Sequence, residues 1–255
     1  MNLTWVAYQT IVTKEIRRFM RIWIQTLVPP VITMTLYFVI FGQLIGSRIG
    51  QMSGFSYMQF IVPGLIMMSS LTNSFTNVAS SFYSTKFVRN VEELLISPTS
   101  THVIILGYIS GGIARGLCVG GLVTIVALCF VSFDVYSWSI VFCTLVMTTA
   151  VFALGGLINA IFARSFDDIS IIPTFVLTPL TYLGGVFYSI SLLPTFWQWV
   201  SKLNPIVYMI NGFRYGFLGI SDVGLIYTFC VLSIFIIALY SVAYYLISHG
   251  VGLKS

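Results

Sequence analysis

The side chains with the widest chemical range are few in this chain, and their spacing rules chemistries out. Two histidines, His102 and His249, stand far apart, with no HExxH pair to hold zinc. Cys118, Cys129, Cys143 and Cys230 form no CxxC pair and no Cys/His cluster, so they are expected to be small buried hydrophobes. No GxSxG elbow is present to present a nucleophilic serine. No GxxxxGK[ST] loop is present either, so the chain by itself cannot cradle and hydrolyse ATP. Asp134, Asp167, Asp168 and Asp222 fall near the ends of apolar runs, and none sits mid-run, where a proton-coupled carrier needs a carboxylate. Asp167 and Asp168 are expected to cap a helix start. Neither bond-breaking chemistry nor a metal or cofactor on this chain is expected.

What remains is chemistry of recognition. Ser70, Asn73, Asn77, Ser80 or Ser81, and Ser84 recur every three or four residues, which places them on one helix face. Amides and hydroxyls facing lipid would go unpaired, so this stripe must meet protein or a polar cavity. It reads either as glue between helices or as a wall of a translocation path. Phe175, Thr178, Tyr182 and Val186 share a face further on, a second candidate wall. The stretch Arg89-Asn90-Val91-Glu92-Glu93-Leu94-Leu95-Ile96-Ser97-Pro98 predicts a short amphipathic helix that Pro98 stops. Glu92 and Glu93 charge it, and Leu94, Leu95 and Ile96 give it an apolar tip. Such a helix, held between two spans, can dock in a groove of a soluble partner and carry motion inward.

The elements that position these residues follow from charge. The chain of 255 residues carries twelve basic and seven acidic side chains, and 58% of it is hydrophobic. Its mean hydropathy is +0.98. Ile22–Ser47 is free of charge over 26 residues; Asp134 and Arg164 bracket 29 uncharged residues, and Asp222 and Lys254 bracket 31. A hydrocarbon core about 30 Å thick takes roughly 20 apolar residues to cross as a helix. A charge at its centre costs about 2.5–3.5 kcal/mol or more, so charges mark where the chain leaves the lipid. The net charge of +5 is scattered and predicts no nucleic-acid partner.

An all-α membrane protein of six spans is predicted, at about 24–46, 58–83, 106–131, 137–163, 169–188 and 223–247. One transmembrane domain then fills residues 1–255, with no room for a catalytic domain. Trp5, Tyr8, Val12, Ile16, Phe19 and Trp23 form an apolar stripe, with Lys14, Arg17, Arg18 and Arg21 largely on other faces. Residues 1–21 therefore predict an amphipathic helix in the headgroup plane rather than a cleavable leader. Residues 189–222 are apolar yet broken by Pro194, Lys202, Pro205 and Arg214. They predict short helices re-entering from the outer face. Trp197 and Trp199 would anchor them at headgroup depth, and Arg214 would return the chain to the surface or pair locally. Lys14, Arg17, Arg18, Arg21, Lys86, Arg89, Arg164 and Lys254 then lie inside, against Arg48, Lys202 and Arg214 outside, which puts both termini in the cytoplasm. Arg115 is expected at the inner interface, with the third span projecting into the cytoplasm.

Taken together, several segments resemble the ABC-2 family of ATP-binding-cassette exporter permeases. They are Glu93-Leu94-Leu95 with Ser97-Pro98, Pro194-Thr195-Phe196-Trp197, and Asn204-Pro205 with Tyr208 and Arg214. Thr26–Tyr37 and Asp167-Asp168-Ile169-Ser170 add to the likeness, which covers essentially the whole chain. The resemblance implies a homodimeric permease in a bacterial inner membrane, bound beneath to two copies of an ABC ATPase subunit that holds ATP and Mg. It implies that Arg89 and Glu92–Ile96 (88–98) form the coupling helix. It places Ser70, Asn73 and Asn77, and Phe175, Thr178 and Tyr182, near the central path. Trp197, Asn204, Pro205, Tyr208 and Arg214 would belong to an outer lid. A lipid or an amphipathic small molecule is the expected cargo, and a polysaccharide or lipid-linked glycan the alternative. A stand-alone secondary carrier and an intramembrane enzyme are the rivals from other classes.

Overall fold

The computed structural model describes residues 3–132 and 134–253. Lys254, counted above among the inner charges, lies outside the described residues. The chain is helical almost throughout. It begins with α1 (Leu3–Arg21), α2 (Trp23–Thr26) and α3 (Val28–Tyr37), which continues through a wide π turn over Phe38–Ile45 into α4 (Gly46–Ile49). A two-residue antiparallel hairpin, Gln51–Met52 with Phe55–Ser56, turns the chain into α5 (Tyr57–Phe87). Then follow α6 (Asn90–Ile96), α7 (Thr101–Leu128), α8 (Trp138–Phe162) and α9 (Phe166–Ile172). A π turn over Pro173–Leu177 joins α9 to α10 (Thr178–Tyr182). The chain closes with α11 (Thr195–Lys202), α12 (Pro205–Leu218) and α13 (Leu225–His249).

Among the described residues, four helical stretches are long and apolar enough to cross a membrane. They are Trp23–Gly42, Thr101–Leu128, Trp138–Phe162 and Leu225–His249. They cover the predicted first, third, fourth and sixth spans. The predicted second span is one 31-residue helix, α5, started by a capping box in which Ser56 and Gln59 satisfy each other's backbone N–H. Its polar stripe lowers its hydropathy. The predicted fifth span is helical only from Phe166 to Tyr182, after which the chain turns at Gly185 with φ of +78°. Val186 therefore leaves the face expected for it with Phe175, Thr178 and Tyr182. It is buried against Gly64 of α5 instead.

The core sits around α5, which packs along α7 and α8, with α12 filling the end where α5 begins and α1 lying across α7. Small residues let the backbones meet, as van der Waals packing must hold helices together where lipid is as apolar as the core. A methyl group added at Gly116 of α7 would stand 2.5 Å from Thr149 Cγ2 of α8, and one at Gly111 would stand 2.5 Å from Glu15 Cβ of α1. One added at Gly156 of α8 would collide with the Phe75 carbonyl of α5.

Three expectations from sequence change here. The buried stripe of α1 is Ile11, Glu15 and Phe19, while Trp5 and Trp23 stay exposed. The glycines of α7 admit the face that carries Glu15, which keeps Phe19 buried and leaves the ends of the aromatic stripe, Trp5 and Trp23, outside. All four cysteines are exposed on the outer surface of the bundle rather than buried. In a membrane the outward face of a helix is as apolar as the inward one, so an apolar setting does not imply burial. Arg214, expected at the surface or paired locally, is 1% exposed inside the end of the bundle where α5 begins.

Candidate functional site

The helix α6 juts from the end of the bundle where α5, α7 and α8 meet. Arg89 begins it in a left-handed conformation, φ +64°, which turns the chain sharply off α5. Val91 is buried and pins the helix, Glu92 and Glu93 are exposed in its first turn, and Leu94 and Leu95 are half-buried. Acidic groups suit a helix N-terminus, where unpaired N–H groups give a partial positive charge. Ile96 is 85% exposed. Its outward apolar tip has no cover within the chain. Ser97 Oγ donates to the Leu94 carbonyl at 2.7 Å and closes the last turn before Pro98.

A groove flanks α6 on either side. One, of 440 Å³, runs between α1 and α6 and is lined by Lys14, Thr85, Glu93, Leu94 and Tyr108 among others. The second, of 450 Å³, is lined by Arg89, Glu92, Tyr83, Lys86 and Arg164 with Gly252 and Leu253. Lys86 Nζ donates to the Ile161 and Ala163 carbonyls at 2.6 and 3.0 Å, capping the end of α8. Burial, and then Arg164, hold the Lys86 pKa below the ordinary lysine value. Asp168 caps α9 as expected: its carboxylate accepts from the N–H groups of Arg164 and Ser165 at 2.9 and 3.2 Å. The Arg164 N–H foremost, then the Ser165 hydroxyl, hold the Asp168 carboxyl below the usual range. Asp167 is exposed in the same turn.

The polar stripe of α5 is covered by α1, α2 and α7. Ser70 is fully buried and donates to its own helix at the Ile66 carbonyl, 2.9 Å, facing Gly120. Asn77 is also fully buried; its Oδ1 accepts from Arg18 Nη2 at 2.8 Å. Glu15 Oε1 accepts from Ser81 Oγ at 2.7 Å, and Oε2 lies 3.6 Å from Arg18 Nε. Asn73, 8% exposed, donates to the Ser69 carbonyl and accepts from Arg115 Nη2, each at 3.0 Å. Arg115 Nη2 also reaches the Thr26 carbonyl at 3.3 Å, so this guanidinium lies level with the start of the first apolar run. Two clusters thus cover the stripe: Glu15 and Arg18 of α1 with Asn77 and Ser81, and Arg115 of α7 with Asn73 and Thr26. Sequence reading missed Glu15 and placed Arg18 off the buried face. The usable signal was Glu15 itself, the one acid of a basic helix, spaced by four from Ile11 and Phe19.

Of the second candidate wall, Phe175 in the π turn and Thr178 and Tyr182 of α10 are all exposed. Tyr182 Oη pairs with Tyr37 Oη of α3 at 3.2 Å, and its ring stacks on Phe187. Tyr37 in turn lines a cavity that Asn73 and Arg115 share. The two candidate walls therefore meet at Tyr37. Ser70 and Asn77 are turned away from that cavity, into helix contacts.

The outer segment forms two helices joined at Asn204-Pro205. Asn204 caps α12 by accepting from Ile206 N–H at 3.0 Å, and it donates to the Leu180 carbonyl of α10 at 2.6 Å. Pro205 occupies the first turn, where its missing N–H costs nothing. Tyr208 Oη donates to the Lys202 carbonyl at 2.9 Å. Trp197 and Trp199 of α11 are exposed. Arg214 lies over the Phe60 ring, 3.9 Å from its centre, and donates to the Gly185 carbonyl at 2.6 Å. It ties α12 to both α5 and the turn after α10. Near it, Asp222 accepts from Ser189 Oγ and Ile190 N–H at 2.7 and 3.0 Å.

A family model described as ABC-2 type transporter matches residues 6–218. The inner membrane transport permease YadH of Escherichia coli K12 is 68% identical over 255 residues, all of both chains. Nodulation protein J of Bradyrhizobium diazoefficiens is 26% identical over 174 residues, 67% of this chain and 65% of that one. Nodulation protein J of Rhizobium meliloti is 24% identical over 174 residues, 68% of this chain and 66% of that one.

Proposed function

We infer the function of this chain from its membership: it belongs to the ABC-2 type transporter family and is a transport permease. It works as the transmembrane subunit of an ATP-binding-cassette exporter in a bacterial inner membrane. The single observation that carries the coupled reading is α6, a short helix with two exposed carboxylates, an exposed apolar tip and a groove on either side. An exposed amphipathic helix rooted in the bundle by Val91 fits the groove of a soluble partner. That partner is an ABC ATPase, two copies serving a permease homodimer; ATP and Mg belong to it. Its ATP-driven closure shifts α6, and α6 is joined to α5 by the Arg89 turn. Motion at α6 therefore reaches Asn73 and the cavity beside it through a rigid helix. ATP can shift this equilibrium only by the differential energy with which the partner grips the two states.

The cargo is a lipid or an amphipathic small molecule. The cavity at Asn73 has a polar end and walls of Met34, Met68, Pro30 and Tyr37, which suit an apolar chain better than a sugar polymer. The test is copurification. Full-length tagged permease, coexpressed with its candidate ATPase, is expected to retain it in stoichiometric amount. Recovery of the permease alone under every nucleotide condition would remove the coupled reading and favour a stand-alone carrier.

In this reading the chain makes six spans, α5 and the α9–α10 rod being the two that hydropathy alone does not mark. α11 and α12 re-enter from the outer face as a lid that closes the path. Lys202 is on α11 and Ser221 follows α12. Single cysteines at each, in a chain whose native cysteines are replaced, are expected to react with an impermeant maleimide added outside intact spheroplasts. Labelling of both only after the inner face is opened would reverse the orientation and place the termini outside.

A further inference from the structure

Arg115 carries a charge that the chain does not neutralise. Its Nη2 donates to the Thr26 carbonyl and Asn73 Oδ1, while its buried Nε has no hydrogen-bond partner. Among the described residues the ion pairs within reach of a carboxylate are those of Glu15, with Lys14 and Arg18, and none involves Arg115. A guanidinium held in a bundle without a counter-ion is costly unless something else supplies the negative charge. Arg115 also lines a cavity of 360 Å³ between α2, α3, α5 and α7. Ser69 lines the same cavity; it is 3% exposed, and its Oγ has no hydrogen-bond partner. Two side chains with unpartnered donors thus line one cavity, whose apolar lining is formed by Met34, Met68 and Tyr37. The rim at Gln25, Pro29 and Thr33 is exposed, so the cavity is open to entry.

We propose that this cavity binds the acidic headgroup of an amphiphile, a phosphate or carboxylate, with Arg115 as its counter-ion and its apolar chain along Met34, Met68 and Tyr37. Ser69 Oγ donates a second hydrogen bond to the anion. The guanidinium fork suits a planar or tetrahedral oxyanion, and charge-assisted bonds of this kind are stronger than neutral ones. The site would be selective for charge at the head and tolerant of chain type. It deepens the permease reading by naming the class of its cargo and rests on that reading for direction of movement.

The test needs binding alone. Full-length protein in dodecyl maltoside is given equimolar phosphatidylglycerol and phosphatidylcholine with the same acyl chains, and retained lipid is read by native mass spectrometry. One phosphatidylglycerol per chain is expected, preferred by about tenfold or more. Arg115→Gln is expected to lose that preference and Arg115→Lys to keep most of it. Arg17→Gln with Arg21→Gln, on the exposed side of α1, should leave it unchanged. If Arg115→Gln fails to fold, Thr33→Trp, which fills the rim and leaves the charge, is expected to abolish retention. Equal retention of both lipids by the wild type would overturn the proposal, as would an unchanged preference in Arg115→Gln or full retention in Thr33→Trp. Displacement of phosphatidylglycerol by millimolar inorganic phosphate would assign the site to a soluble anion and overturn the amphiphile. Failure of ATPase copurification would remove the transport reading and leave this result standing. Loss of lipid preference would do the reverse.

Discussion

Glu92→Lys with Glu93→Lys is expected to lower recovery of the ATPase with the permease by about tenfold or more. Permease-dependent ATP hydrolysis should fall with it. Both side chains are exposed, so neither change disturbs the bundle. Val91, which roots α6, is untouched. Reversal works twice over. A lysine pair removes the carboxylates offered to the partner's groove and reverses their charge, and it opposes the positive end of α6, which costs about 0.3–1 kcal/mol per charge. Neutral Glu92→Gln with Glu93→Gln separates the two terms and should lie between wild type and reversal. The measurements are the ATPase-to-permease ratio after affinity purification and ATP hydrolysis in proteoliposomes, with membrane insertion checked by permease yield. A double reversal with wild-type complex and wild-type hydrolysis would mean that α6 does not touch the ATPase.

Glu15→Leu should destabilise the bundle by about 3 kcal/mol, the low end of the cost of breaking a buried ion pair. The low end applies because Arg18 keeps 29% of its side-chain exposure while Glu15 has none. The loss strands the Arg18 guanidinium against Asn77 alone and removes the acceptor of Ser81. Glu15→Leu combined with Arg18→Met should recover most of the loss, since apolar replacement of both partners removes the uncompensated charge. Unfolding in mixed micelles, followed by circular dichroism across the four members of the cycle, reads both the cost and its recovery. A single variant as stable as wild type would show that α1 leaves the bundle and that Glu15 is solvated. The network would then be one of several arrangements of the N-terminal helix.

The two experiments probe opposite kinds of legibility. The α6 stretch was readable because each signal was local. Glu92 and Glu93 come first, the apolar tip follows, and Pro98 cannot continue a helix. The same holds for the Ser165–Asp168 cap and for Asn204-Pro205, where the side chain answers a backbone group a few residues away. The Glu15 network was not readable, because its members come from α1 and α5, far apart in the chain, and no local rule couples them. The polar stripe of α5 lies between these cases. Its periodicity showed that something must cover it. Only the packed helices show that Asn77 meets Arg18, that Asn73 meets Arg115, and that Ser70 turns toward Gly120.

The sequence by itself determined that this chain is built of apolar stretches long enough to cross a membrane, and to which family it belongs. Charge is so costly in hydrocarbon that its absence over 26 to 31 residues leaves little choice of environment. Tertiary structure alone decided which face of each helix is inside. In water, polarity marks the outer face; in lipid, both faces of a span are apolar and the pattern carries no direction. That is why the cysteines came out exposed and Glu15 came in. It is also why Arg214, expected at the surface or paired locally, is enclosed over Phe60 at the end of the bundle opposite α6. Helix packing was decided by where backbones could approach, at Gly111, Gly116 and Gly156. Those contacts join residues too far apart in the chain for any sequence period to reveal.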